Sequence, residues 1–202
     1  SLDFGTVKQL KRDMVTEISA TLAFSAIQNN DKIGVIFFSD KIEKFIPPKK
    51  GRKHILYIIR ELIDFKPEST RTNIQCAIEY LTNVQKKRCT AFMLSDFIDD
   101  HDFQNALTVA NRKHDVVALQ VYDRRMEELP DVGLLKLRDA ETGHDQWVDT
   151  SSRAVRNAHH AWWMQRQEKL NGIFTHSNVD SVSVRTDQDY VKALLNLFAK
   201  RN

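Results

Sequence analysis

The chain has 202 residues, 42% hydrophobic, 9% aromatic and 28% charged, with 30 basic against 27 acidic side chains and a formal net charge of +3. A globule of this length buries roughly 70% of its unfolded surface and needs no disulfide or metal staple. The composition excludes disorder, collagen and a small disulfide scaffold. No run of about 18 apolar residues exists, which speaks against a membrane span. No basic block dominates, which speaks against nucleic-acid binding. Two cysteines, Cys76 and Cys89, fit a reducing compartment.

The chain opens on Ser1-Leu2-Asp3-Phe4-Gly5, with no initiator Met, signal peptide or strand ahead of the first helix. This reads as a piece cut from a longer protein. Val7, Leu10, Met14, Ile18 and Leu22 recur at spacings of three and four and predict a helix over 6–29. Ile33 to Phe38 is a continuous apolar run, as for a strand covered on both faces. Ile42 to Ile46 alternates and predicts an edge strand that stops at Pro47-Pro48. Helices are expected around Ile55–Ile63 and Ile74–Val84.

Ala91 to Leu94 predicts a second buried strand, ending at Ser95-Asp96. A short helix with Phe103, Ala106, Leu107 and Ala110 on one face follows, then a third buried strand over Val116–Val121. Leu134–Asp139 and Gln146–Val148 flank a hairpin-like turn at Glu141-Thr142-Gly143-His144. Residues 152–171 look helical, and Val179–Val184 alternates as a last strand. Thr186-Asp187-Gln188-Asp189 fits a capping box for a final helix through Val191, Leu194, Leu195 and Phe198.

Buried strands alternating with helices predict an α/β fold, a mostly parallel sheet with helices on both faces, in one domain over 1–202. Residues 32–40, 90–96 and 115–122 are expected as parallel neighbours in one sheet. Ligands of such sheets sit outside the carboxyl ends of the strands. That edge carries Ser39-Asp40, Ser95-Asp96 and Tyr122-Asp123, with the Thr70–Asn73 turn beside them.

Asp96 in this place suits a cation, a base or a turn held by a backbone N–H. Thr72 suits a helix N-cap or a hydroxyl ligand to a hard cation such as Mg²⁺. In Asp99-Asp100-His101-Asp102, Asp102 is expected to cap the following helix and the rest to be solvated; the competing reading is a metal-dependent hydrolase centre of Asp96, Asp99, Asp100 and His101. His159 and His160 are adjacent, point about 100° apart on a helix and do not share a metal. Lys49-Lys50-Gly51-Arg52-Lys53 is the one basic run, a solvated loop or a contact for an acidic partner. Six glycines form no phosphate-binding loop, which disfavours a nucleotide-binding domain; GxSxG, CxxC and HExxH are absent. Cys76 on its helix reads as a structural thiol.

The ordered set Ser1–Gly5, Gly34–Asp40, Thr72-Asn73-Ile74 and Leu94-Ser95-Asp96-Phe97 resembles the von Willebrand factor A (vWA) domain. It resembles more closely the uncharacterised bacterial vWA-like family encoded beside MoxR-type AAA+ ATPases. Ile46–Arg52, Arg112–Ala118, Leu129–Gly133, Asp139–Gly143 and Leu197–Arg201 extend the match along the whole chain. The resemblance implies a Rossmann-like sheet and a metal-ion-dependent adhesion site. Ser1 corresponds to the last Ser of its Asp-x-Ser-x-Ser motif, Thr72 to its Thr and Asp96 to its second Asp. Arg71 stands where Gly is frequent. The first Asp and first Ser of the motif, and the first, central strand, would lie upstream of Ser1.

The resemblance further implies a cytoplasmic, non-enzymatic protein-interaction domain working with a MoxR-type ATPase in assembly or maturation of another complex. No nucleic acid and no membrane contact are expected. Mg²⁺ is the implied ion; with one carboxylate among Ser1, Thr72 and Asp96, this chain is expected to bind it weakly or not at all. A sheet without its central strand leaves two rows of backbone groups to pair directly or to take a strand from a second chain.

Overall fold

A computed structural model describes residues 5–138 and 145–201. Helix α1 (Gly5–Gln28) turns Met14 and Ile18 inward. It ends at Asn30, whose φ of 55° is left-handed, and Asp31 N–H donates to Ala26 C=O at 2.8 Å. This closes the last turn, a role Asn fills with little steric cost.

Strands β1 (Ile33–Phe38) and β2 (Ile42–Lys49) form an antiparallel hairpin, which helix α2 (Arg52–Asp64) covers. Phe37, Ile46 and Ile58 make its core. Contrary to expectation, β2 runs through Pro47-Pro48 to Lys49. Prolines are tolerated on an edge strand, where the missing N–H faces away from the ladder. The register shifts between Ile33 and Val35, at Gly34. A Cβ at Gly34 would lie 2.6 Å from Ile46 O and 2.8 Å from Pro48 N, so the close backbone approach requires glycine.

Helix α3 (Ile74–Val84) leads to β3 (Thr90–Ser95), α4 (Gln104–Lys113) and β4 (Asp115–Tyr122). A short helix α5 (Arg124–Glu127), not anticipated, follows on the Asp123 cap. Strands β5 (Leu134–Arg138) and β6 (Asp145–Asp149) pair antiparallel as expected; the turn between them lies outside the described residues. Helix α6 (Arg153–His176) outruns its expected end, and β7 (Asp180–Arg185) and α7 (Tyr190–Arg201) complete the order. The capping box does not form: Thr186 donates to Asp123, and Asp189 accepts from Val191 N–H.

The main sheet is parallel, in the order β3-β4-β7. Its central strand shows why a continuous apolar run was needed. Val117, Leu119 and Val121 face α1 and α7, packing with Met14, Ile18, Leu194 and Leu197. Val116 and Ala118 face the other way, with Ile74, Leu107, Ile173 and Phe174 of α3, α4 and α6. The period of two splits one hydrophobic run between two cores. The fold is α/β, with a parallel sheet between helical layers.

One expectation fails. Residues 33–38 do not pair with β3; β1 bonds to β2 alone, in a separate sheet. Among the described residues no strand occupies the second edge of either β1 or β3. The apolar side chains there stay half-exposed, as at Val35, Ile36, Phe92 and Leu94, whereas Val117 and Leu119 on β4 are fully buried. Among the described residues no helix is long and apolar enough to cross a membrane.

Candidate functional site at the carboxyl edge of the sheet

The connections after β1 and β3 meet at the start of α3. Asn73 N–H donates to Ser39 C=O at 2.9 Å, and Ile74 N–H donates to Asp99 Oδ2 at 2.6 Å. Asn73, not Thr72, caps α3: its side chain accepts from Cys76 N–H at 2.9 Å. Thr72 is half-buried on the connection just ahead of the cap.

Asp96 leaves the end of β3 with both oxygens engaged. Oδ1 accepts from Ile98 N–H at 3.2 Å, and Oδ2 accepts from Lys11 Nζ at 2.8 Å. Both side chains are 16% exposed. Burial pushes the Asp96 carboxyl up, but the Lys11 charge, its hydrogen bond and Ile98 N–H together hold it below the ordinary carboxylate value. Gln120, buried on β4, donates to Asp96 C=O and accepts from Ser183, so the strand end is tied across the sheet.

Lys11 was not among the expected site residues. A signal for it exists: Lys11 falls on the same helical stripe as Val7, Met14 and Ile18, and a charge on an apolar stripe calls for a buried partner.

Asp99 is a correction. It was expected to be solvated, yet its side chain is fully buried. Oδ1 accepts from His101 N–H at 2.9 Å and lies 2.6 Å from His101 Nδ1, while Oδ2 takes Ile74 N–H. A carboxylate engaged on three sides is a clamp between the β3 exit and α3. Asp100 lies 3.7 Å from Arg166, and Asp102 accepts from Gln104 N–H at the first turn of α4. Asp40 is held below its ordinary value chiefly by Ser69, with Ser39 also contributing.

Ser1 lies outside the described residues. Of the expected ligands, the structure therefore places Thr72 and Asp96, on two connections tied to the same helix start. They offer one carboxylate, and that carboxylate is paired with the Lys11 ammonium. Among the described residues no group of three or more His, Cys, Asp or Glu side chains is placed to hold a metal. This set does not meet the demand of Mg²⁺ for several hard oxygen ligands.

The adjacent histidines are accounted for separately. His159 Nε2 lies 2.9 Å from Met126 C=O, and its ring packs 5.5 Å from Trp162; His160 Nδ1 lies 3.3 Å from Glu127 C=O. They position α5 against α6.

Residues 1–169 match the family described as protein of unknown function DUF58. The chain belongs to this family. Uncharacterized proteins of Mycobacterium bovis (Mb1516) and Mycobacterium tuberculosis (Rv1480) are each 28% identical over 208 residues, covering all of this chain. The DUF58 chain described here spans 64% of the length of those relatives. Among solved structures it is similar to the conserved hypothetical protein BatB from Bacteroides thetaiotaomicron, with a TM-score of 0.59 and 16% identity, covering 94% of this chain and 87% of BatB. It is also similar to an aerotolerance-related membrane protein from Bacteroides fragilis, with a TM-score of 0.60, 16% identity and coverage of 94% and 88%. These likenesses show a shared fold.

Proposed function

We propose that this DUF58 chain is a non-enzymatic protein-interaction domain of vWA type that docks its partner at the carboxyl edge of the sheet. The resemblance names the partner as a MoxR-type AAA+ ATPase, and the joint task as assembly or maturation of another complex. One observation carries the reading. Thr72 stands on the segment that enters α3, and the connection bearing Asp96 is hydrogen-bonded to the start of the same helix through Asp99, which supports an oxygen-bearing edge held in place as a docking surface requires.

The hydrolase alternative draws less support. It needs Asp99 and His101 turned toward substrate beside Asp96. Asp99 instead spends its oxygens on Ile74 N–H and on His101. A vWA-type site in this family would recruit Mg²⁺ with residues beyond Thr72 and Asp96.

Size-exclusion chromatography of the chain mixed with the MoxR-type ATPase of the same genome tests the proposal. Co-elution in the ATP-bound state is the expected result. Separate elution in every nucleotide state, together with metal-dependent turnover of phosphate or carboxyl esters, would overturn it in favour of the hydrolase.

A further inference from the structure

We infer that the opposite, amino-terminal edge of the sheet is a second docking surface, which takes an acidic protein segment rich in Asp and Glu. The inference goes beyond the carboxyl-edge reading and does not depend on it. At the start of β1, the end of β2 and the first turn of α2 expose Lys49, Lys50, Arg52 and Lys53. At the start of β3, the connection from α3 exposes Lys86, Lys87 and Arg88. Both clusters lie at the amino-terminal ends of their strands, β1 in its hairpin and β3 in the main sheet. The carboxyl ends of β1 and β3 meet at the start of α3, and α3 then runs toward the opposite end of the strands.

None of these seven side chains has an ion-pair partner among the described residues. Of the acidic groups at this edge, Asp115 and Asp180 both pair with Arg201, which leaves exposed Asp31, ahead of β1, as the nearest carboxylate in sequence to the first cluster. Concentrating unpaired like charges costs stability through repulsion, and an anionic partner relieves it. The frame is firm. His54 Nε2 lies 2.9 Å from Ile33 C=O beside the first cluster, and Lys113 donates to Thr82 C=O beside the second.

The chemistry selects among anions. Each cluster includes an arginine, whose planar fork matches a carboxylate. Neither loop carries an aromatic side chain for base stacking or projects a helix into a groove, as nucleic-acid recognition uses. Polybasic attraction to lipid works best from a helix whose apolar face is free to enter the membrane; Arg52 and Lys53 open α2, whose apolar face is instead buried within the protein at Ile55 and Ile58. A second copy of the chain is a poor fit, because Asp96, Asp100 and Asp187 at its carboxyl edge pair with Lys11, Arg166 and Arg185.

The test is fluorescence anisotropy of a labelled poly-glutamate peptide titrated with the chain at low and at physiological ionic strength. Two fourfold charge reversals are compared: K50E/R52E/K87E/R88E at this edge, and K66E/R153E/K169E/K192E elsewhere, with the same net charge. K50A/R52A/K87A/R88A stands in should the first reversal fail to fold. The expected result is salt-sensitive binding that drops on the order of tenfold or more for the edge variants and changes by about twofold for the distributed one. Equal losses in both reversals would overturn the inference, leaving net charge alone as the cause. Tighter, equally edge-dependent binding to phosphatidylglycerol vesicles or to a DNA oligonucleotide would also overturn it.

Discussion

Lys11 Nζ and Asp96 Oδ2 lie 2.8 Å apart, joining α1 to the end of β3 across 85 positions of sequence. Each side chain is largely withdrawn from water, so neither charge is tolerable alone. The pair anchors α1 over the sheet, and it engages one oxygen of the Asp96 carboxylate.

Lys11→Met is expected to destabilise the fold by about 1–2 kcal/mol, between the cost of losing an exposed pair and that of stranding a fully buried charge. Lys11→Met/Asp96→Asn is expected to recover part of that loss, because the stranded carboxylate is gone. Urea denaturation of the two single variants and the double variant measures the coupling. Additive losses would show that the contact carries no energy.

Two groups give the stability two pH windows. Burial, with Lys113 and Arg88 nearby, lowers the His114 pKa, so the unfolded chain takes up a proton that the folded one refuses. Stability is therefore expected to fall as pH drops below about 6.5, the unfolded histidine value. The depressed Asp96 carboxyl contributes stability that is complete above the ordinary aspartate range and is lost as pH falls through its folded value. His114→Gln should flatten the upper window, and Asp96→Asn the lower. Denaturation midpoints across the pH range check both.

Asp99→Ala removes a fully buried carboxylate and leaves Ile74 N–H and His101 N–H without their acceptor. A loss of about 2–3 kcal/mol is expected, from one charge-assisted bond and one stranded donor. Thermal denaturation measures it. An unchanged midpoint would return Asp99 to the role of a solvated loop residue.

Gly34→Ala places a methyl against backbone atoms of the neighbouring strand, which cannot swing aside as a side chain does. A loss of about 2 kcal/mol or more is expected from overpacking. Hydrogen exchange should show the loss concentrated in the β1–β2 hairpin, whose core is separate from the main one.

Most elements were legible because each depends on local pattern. The near-continuous apolar run Val116–Val121 and the three-four spacing along Val7–Leu22 state that a strand is covered on both faces and a helix on one before any contact is known. Boundaries decided by a tertiary neighbour were not legible. The passage of β2 through Pro47-Pro48 depends on which edge faces solvent, and Asn73 rather than Thr72 caps α3 because Ser39 C=O fixes where the turn begins. Of the candidate site, only the positions of its residues along the chain were legible. Asp96 and Thr72 follow from strand ends and spacing, whereas the partner of Asp96 sits on a distant helix. Asp99 looked solvated because three other polar residues follow it in sequence, and only the start of α3 explains its burial. The pairing of β1 with β3 was expected from two similar apolar runs, but apolarity gives burial and not adjacency.

The proposed docking of a MoxR-type ATPase at the carboxyl edge is tested by the affinity of that ATPase for edge variants. Surface interferometry with the immobilised chain would compare wild type, Thr72→Ala, Asp96→Asn and the distant Lys169→Glu. The account predicts about tenfold or greater weakening for Asp96→Asn, a smaller loss for Thr72→Ala and no change for Lys169→Glu. Unaltered affinity for both edge variants, in folded protein, would contradict it.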